Sequence, residues 1–272
     1  MIAPAQLATP GLVTIQIGGA AIGLHTDNPA FRGLIESRYA SFIASPARPD
    51  LEFDIELSDT DSLVSADDDV HVTRAGDTWE LRRGDFHATW NIQSARGRVR
   101  QSNNPYAIDS VLRIVHSILL ASRGGFLLHA ASAIRDGHAF LFAGVSGAGK
   151  TTISRLAPVD ATLLTDEISY VRYHDGKFEA CGTPFAGELA RAGENSSAPV
   201  KTLFFLEQAP QNRIEPVNPA DAVRLLLRNV LFFAEDADLV RHLFASACKF
   251  AEEVPIRRLC FVPDQRVWEV IR

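Results

Sequence analysis

Polar and apolar residues alternate over 13–17 and again over 20–25, on either side of Gly18 and Gly19, which predicts a β-hairpin. Leu51, Phe53, Ile55 and Leu57 alternate strictly and predict a half-buried strand. Residues 70–100 continue as a β-meander that turns at Gly76 and Gly84. Between these strands the spacing becomes helical: Phe31, Leu34, Ile35, Tyr39 and Phe42 fall on one face after Asn28-Pro29. Asn104-Pro105 and Asn218-Pro219 mark two more helix starts, because Asn caps a helix and Pro has no N–H to leave unpaired in its first turn. The helix over 106–122 stops at Gly124-Gly125. Beyond it the pattern predicts strands at 126–134, 139–143, 162–167, 168–172, 177–181, 200–207 and 256–262. Helices are predicted at 152–157, 219–233 and 237–252. The expected organisation is a small β-rich α+β domain over 1–104, with one helix, followed by an α/β domain over 105–272. His242 and the Phe232-Phe233 pair read as packing residues, and the acidic run Asp59, Asp61, Asp67, Asp68 and Asp69 as a solvated loop, with a cation site as its alternative.

Composition narrows the function classes. With 46% hydrophobic and 22% charged residues among 272, the chain has enough apolar material for a core and is not disordered as a whole. Its 27 Lys and Arg against 33 Asp and Glu, a net charge of -6, argue against non-specific binding to nucleic acid or anionic membrane. Cys181, Cys248 and Cys260 show no C-x-x-C spacing, which argues against a disulfide scaffold or zinc site and suits a reducing compartment. The N-terminus has no basic start or apolar core of a secretory signal. The apolar helix around residue 115 is short and carries Arg113 and His116. The expectation is a cytoplasmic protein.

The chemistry is concentrated in the second half. Gly144-Val145-Ser146-Gly147-Ala148-Gly149-Lys150-Thr151 fits G-x-x-x-x-G-K-[ST], the phosphate-binding P-loop (Walker A) pattern, and Thr152 continues it into a predicted helix. Glycines there let backbone N–H groups turn toward phosphates, Lys150 can reach the β- and γ-phosphates, and the Thr151 hydroxyl can ligate magnesium. Asp136-Gly137 between two apolar runs predicts a tight hairpin ahead of the loop strand, since both turn positions need positive φ. If Arg135 pairs with His138, Ala133 faces Phe140, Ala131 faces Phe142, and His129 lies opposite Gly144 at the mouth of the loop. His129 is then a candidate for phosphate contact or proton handling. Asp166 and Glu167 end the next strand; one suits magnesium and the other can accept a proton from an attacking hydroxyl. Asp175-Gly176 predicts a second tight hairpin. Lys201, Arg224 and Arg228 could neutralise transferring phosphate, with a salt-bridged helix face as the reading for the two arginines.

The run Leu128-His129-Ala130, the Asp-Gly hairpin, Gly144 to Thr151, then Leu164-Thr165-Asp166-Glu167 resembles HPr kinase/phosphorylase, a bacterial serine kinase whose C-terminal domain is related to phosphoenolpyruvate carboxykinase. The resemblance covers residues 126–207 and implies a P-loop kinase domain of that type with a mixed sheet. It implies ATP and Mg2+ as cofactors, Lys150 and Thr151 as phosphate and magnesium contacts, Asp166 as the metal-side carboxylate and Glu167 as proton acceptor. The family has aspartate where Glu167 stands. Glu188 is the candidate for a further magnesium-ligating glutamate, although the family's Arg-Gly-Leu-Gly segment is absent around it. The first half does not look like that family's regulatory domain. The chain looks more like HPr-kinase-like bacterial proteins, some linked to modification of ribosomal peptides. The implied activity is γ-phosphoryl transfer from ATP to a hydroxyl, a serine of a protein or ribosomal peptide, and the implied state is oligomeric. A nucleotide-binding switch or assembly protein and a small-molecule kinase are the alternatives.

Overall fold

The computed structural model describes residues 11–45, 48–58 and 69–271. Of the acidic run, Asp59, Asp61, Asp67 and Asp68 lie outside the described residues, and Asp69 is exposed. The chain divides into two compact units, Met1–Val111 and Leu112–Arg272.

Unit 1 holds β1 (Leu12–Ile17), β2 (Ala20–His25), α1 (Pro29–Arg38), β3 (Leu51–Leu57), β4 (His71–Ala75), β5 (Thr78–Arg83), β6 (Phe86–Asn91) and β7 (Arg96–Gln101). Its mixed sheet has the order β1-β2-β3-β7-β6-β5-β4. Gly18 and Gly19, with φ of 56° and 86°, make the first hairpin turn, and the Asn28 side chain caps α1 by accepting from Phe31 N at 2.9 Å. One face of the sheet is apolar, with Phe53, Trp79, Leu81, Trp90 and Val99 buried. On the other face Glu52, Asp54 and Glu56 stand opposite Arg96, Arg98 and Arg100, an acidic row paired with a basic one.

α2 (Pro105–Ser122) begins in unit 1, and the division between the units falls within it, beyond the Asn104 boundary expected from sequence. The reason lies in its first turns. Asp109 is 4% exposed and takes hydrogen bonds from the Arg38 guanidinium and the Tyr39 hydroxyl, so the start of α2 is tied to the end of α1.

Unit 2 continues with β8 (Phe126–Arg135), β9 (His138–Ala143), α3 (Lys150–Arg155), β10 (Thr162–Thr165), β11 (Ile168–His174), β12 (Lys177–Cys181), β13 (Ser197–Gln208), β14 (Arg213–Pro216), α4 (Pro219–Asn229), β15 (Val230–Leu231), α5 (Ala237–Glu253), β16 (Ile256–Phe261) and α6 (Val267–Val270). β9 lies between antiparallel β8 and parallel β13, and β16 runs parallel on the other side of β13. Because β8 also pairs with β11, β11 with β12, and β12 with the start of β13, the pairings β8-β11-β12-β13-β9 close a ring. Stacked Phe142 and Phe204, with Phe261 and Trp268, form the core under α3, and the Trp268 indole donates to Ile153 O at 3.2 Å. The protein is thus a mixed α/β chain with two mixed sheets.

Both Asp-Gly hairpins have the expected backbone: φ is 51° and 72° at Asp136 and Gly137, and 48° and 79° at Asp175 and Gly176. Pairing in the first runs from Arg135↔His138 to Ala130↔Ala143, the register expected from sequence. The helix expected to reach residue 233 stops at Asn229, because Val230 and Leu231 turn extended to pair with Leu128 and Leu127. His242 is not a packing residue: it is exposed on the outer face of α5, beside Leu243, which is 8% exposed. The three cysteines are free, and burial pushes the Cys181 thiol up to about 11. Among the described residues no helix is long and apolar enough to cross a membrane.

Candidate functional site

β8 changes neighbours partway along its length. Residues Phe126 to His129 pair with β11, and Ser132 to Ile134 pair with β10, on the same edge. The paired numbers Thr165↔Ser132 and Ile168↔His129 lie in one register, so β10 and β11 are one ladder with a gap. Asp166 and Glu167 are that gap. The Thr165 hydroxyl accepts from Glu167 N and Ile168 N, each at 3.2 Å, and so replaces ladder acceptors while the chain lifts the two carboxylates out. The Ser169 hydroxyl donates to Ala130 O at 2.8 Å across the gap. Thr165→Val keeps the shape and removes the acceptor. It is expected to lower stability by about 1–3 kcal/mol, the penalty for leaving a buried donor unsatisfied, measured by chemical denaturation.

The glycine-rich loop leaves the end of β9 close to this gap. Val145 is 79% exposed, so the loop tip faces solvent. Gly149 caps α3 with φ of 112°, and a Cβ there would stand 2.5 Å from the Phe261 ring. Only glycine meets both conditions, and Gly149→Ala is expected to lower the melting temperature. Lys150 is 8% exposed, and its Nζ donates back to Gly144 O at 3.2 Å. Gln208, at the end of β13, donates from its side-chain amide to Gly147 O at 3.0 Å and holds the tip.

His129 meets Glu167 across the gap, with Nε2 3.2 Å from Oε1 and both side chains 35% exposed. The hydrogen bond from His129 holds the Glu167 carboxyl below the usual carboxylate range; partial burial opposes it, and the positive charges of His129, Lys150 and Arg113 add to it. A lowered carboxyl stabilises the fold at pH above the ordinary glutamate range, and that contribution is lost as pH falls through the lowered value. His129→Asn should therefore raise the Glu167 titration, which carboxyl-carbon NMR would follow; an unchanged titration would remove His129 as the cause.

Asp166 plays a different part from Glu167. It is 1% exposed, and its two oxygens accept from Gly187 N at 3.0 Å and Leu189 N at 2.8 Å. These bonds hold the segment that carries Glu188 against the gap. The Glu188 side chain is exposed and makes no hydrogen bond or ion pair among the described residues. A Cβ on Gly187 would lie 2.8 Å from Glu167 Cβ, so its bare backbone fits against the glutamate. Among the described residues no group of three or more His, Cys, Asp or Glu gathers as a metal site.

Lys201 does not join the site. It sits over the Phe140 ring at 5.9 Å, near the start of β9, whereas the loop leaves the other end of that strand. At about 3.3 Å per residue the separation is on the order of 10–15 Å. Arg224 is paired with Asp221, as a salt-bridged helix face requires, and Arg228 is exposed. Sequence reading missed three contributors. Thr165 and Gln208 act through contacts that no motif encodes, although a Thr directly before paired acids is a usable signal. Arg113 stood out in sequence only as a charge in an apolar helix; its guanidinium lies 5.1 Å from the Phe185 ring centroid.

Comparison with known proteins adds the following. No curated protein matches the chain. Among solved structures, the Hpr(Ser) kinase/phosphatase from Coxiella burnetii is similar over 47% of this chain and 92% of its own, with 12% identity and a TM-score of 0.26. The family described as SynChlorMet cassette protein ScmC matches residues 100–272, which takes in all of the loop, β8 and the carboxylate gap. That match spans well over half of the sequence, and the chain belongs to the ScmC family of SynChlorMet cassette proteins.

Proposed function

We propose that the chain binds ATP through Gly144 to Thr152 and transfers its γ-phosphoryl group to a hydroxyl, a serine on a protein or peptide. The observation that carries this reading is the convergence of Lys150, His129 and Glu167: a buried lysine at a glycine-rich loop acts electrostatically on a carboxylate that a histidine already holds ionised. The sequence resemblance to HPr kinase supplies the reaction class.

Lys150 is held at the loop by the Gly144 carbonyl and would exchange that contact for the β- and γ-phosphate oxygens. Glu167 would accept the proton of the acceptor hydroxyl as its oxygen bonds to the γ-phosphorus. The bond from that phosphorus to the β–γ bridging oxygen breaks, and ADP leaves with the electron pair. His129 keeps Glu167 ionised and aimed, as its 3.2 Å contact allows. Magnesium, when bound, neutralises charge on the β- and γ-phosphates. The donors present suit an ion that keeps several waters and takes few protein ligands. Thr151 at the start of α3 would hold it, with Asp166 contributing through the lone pairs that Gly187 and Leu189 leave open.

The test is transfer from γ-labelled ATP with magnesium to size-fractionated extract of the source cells, with Lys150→Ala as control. Label in a protein or peptide fraction, absent in the control, is the expected result. Label only in small molecules would make the protein a metabolite kinase. Release of free phosphate alone, with a nucleotide-dependent complex, would make it a switch.

A further inference from the structure

A cleft of about 780 Å³ opens in unit 2 between the end of α3, the start of β10 and residues 189–194. Arg155 and Arg191 line it, with Ala161, Leu163, Leu189 and the exposed Glu194. Its volume is in the usual range for a small-molecule site, about 300–1,000 Å³.

Two arginines share its lining. Several guanidinium groups of unit 2 are matched by acids, Arg135 by Asp160 at 3.0 Å, Arg172 by Glu179 at 2.8 Å and Arg213 by Glu215 at 2.7 Å, whereas among the described residues Arg228 is exposed without an ion pair and Arg257 donates to the Ile256 carbonyl. Arg155 and Arg191 both line this one cleft, are both exposed, and make no ion pair among the described residues, Glu194 of the same lining included. An anion held between two like charges on one concavity would be attracted to both. Guanidinium is the side chain best suited to carboxylate or phosphate oxygens, which it can hold in bidentate fashion.

The walls are fixed in advance. Glu194 N donates to Leu163 O at 3.0 Å, which fastens the 189–194 side to β10. Gly193 lies so close to β10 that a Cβ there would stand 1.6 Å from Leu164 O. At the other end Asp166 holds Leu189 N at 2.8 Å. A ligand would meet a formed backbone and would have to order only the two exposed arginine side chains.

We propose that this cleft binds a small organic oxyanion, a carboxylate or phosphate monoester with a short apolar body, between Arg155 and Arg191. The cleft is distinct from the glycine-rich loop, and the inference does not depend on the nucleotide reading.

The experiment is calorimetric titration of the full chain with phenyl phosphate, benzoate and inorganic phosphate. It is run on the unmodified protein, on Lys150→Ala and on the double variant Arg155→Met/Arg191→Met. Methyl NMR of the unmodified protein locates the ligand without any substitution. The expected result is that at least one organic probe binds below millimolar concentration in the unmodified protein and in Lys150→Ala. Binding should be weaker by about tenfold or more in the double variant, as loss of charge-assisted contacts predicts. Methyl shifts should centre on Leu163 and Leu189. Which organic probe binds more tightly distinguishes a phosphate from a carboxylate ligand within the proposed class. The inference fails if neither organic probe binds, if the double variant binds equally well, or if Lys150→Ala abolishes binding. It also fails if inorganic phosphate matches phenyl phosphate, or if the methyl shifts centre elsewhere.

Discussion

Glu167→Gln should lower phosphoryl transfer by about 10²–10⁴-fold, the usual contribution of a positioned general base, while nucleotide affinity stays unchanged. Glutamine keeps the length of the side chain and an oxygen that can face His129, but it cannot accept the acceptor's proton. Gly187 still packs against the same Cβ, so the local structure has no reason to change. Single-turnover transfer and calorimetric nucleotide binding together make the test. Full transfer by the variant would remove Glu167 from the role. In the unmodified protein the lowered Glu167 carboxyl predicts that transfer persists into mildly acidic buffer and is lost as pH falls through that lowered value. Restoring the carboxyl to its ordinary range through His129→Asn would move that loss to higher pH.

Asp109→Ala is expected to lower stability by about 3–5 kcal/mol, as removal of one partner from a buried ion pair does. Its carboxylate serves the Arg38 guanidinium and the Tyr39 hydroxyl together, and Tyr39 is fully buried. Burial, and then the charge of Asp109, push the Tyr39 hydroxyl well above its ordinary value, so it remains a donor. Without the carboxylate both donors lose their acceptor. Tyr39→Phe removes one neutral donor only and should cost about 1 kcal/mol. Chemical denaturation of the full chain measures both, and a loss for Asp109→Ala no larger than that for Tyr39→Phe would show that Arg38 finds other partners.

Local signals carried a large part of this architecture. The Asp-Gly pairs specified two hairpins because their turn needs positive φ at both positions, and the first fixed the register of β8 against β9. Asn28 and Asn218 cap helices where the Asn-Pro pairs stood, accepting from Phe31 N and Asp221 N. Features that arise between distant segments left no such mark. The helix ends at Asn229 because β8, a hundred residues earlier, offers a free edge to Val230 and Leu231. β14 is four residues long, ends in Pro216, and exists as a strand because β16 lies beside it. At the site, His129 was placed near the loop by counting along a hairpin, but its meeting with Glu167 depends on β11, which joins β8 from the other side. The separate tasks of Asp166 and Glu167 could not be read from adjacent acids. They follow from which carboxylate the 187–189 backbone reaches.

The unchanged register across the carboxylate gap has a consequence for chain length. Thr165 and Ile168 resume the same ladder, so the intervening pair behaves as a fixed reading frame of two residues. Inserting or deleting one residue there would shift every side chain of β11 by one place. Ile168 and Tyr170 would exchange faces with Ser169 and Val171, all four of which are buried. Inserting two residues would leave the faces in place and alter only the reach of the acids. Insertions at this point should therefore be tolerated in even steps and rejected in odd ones.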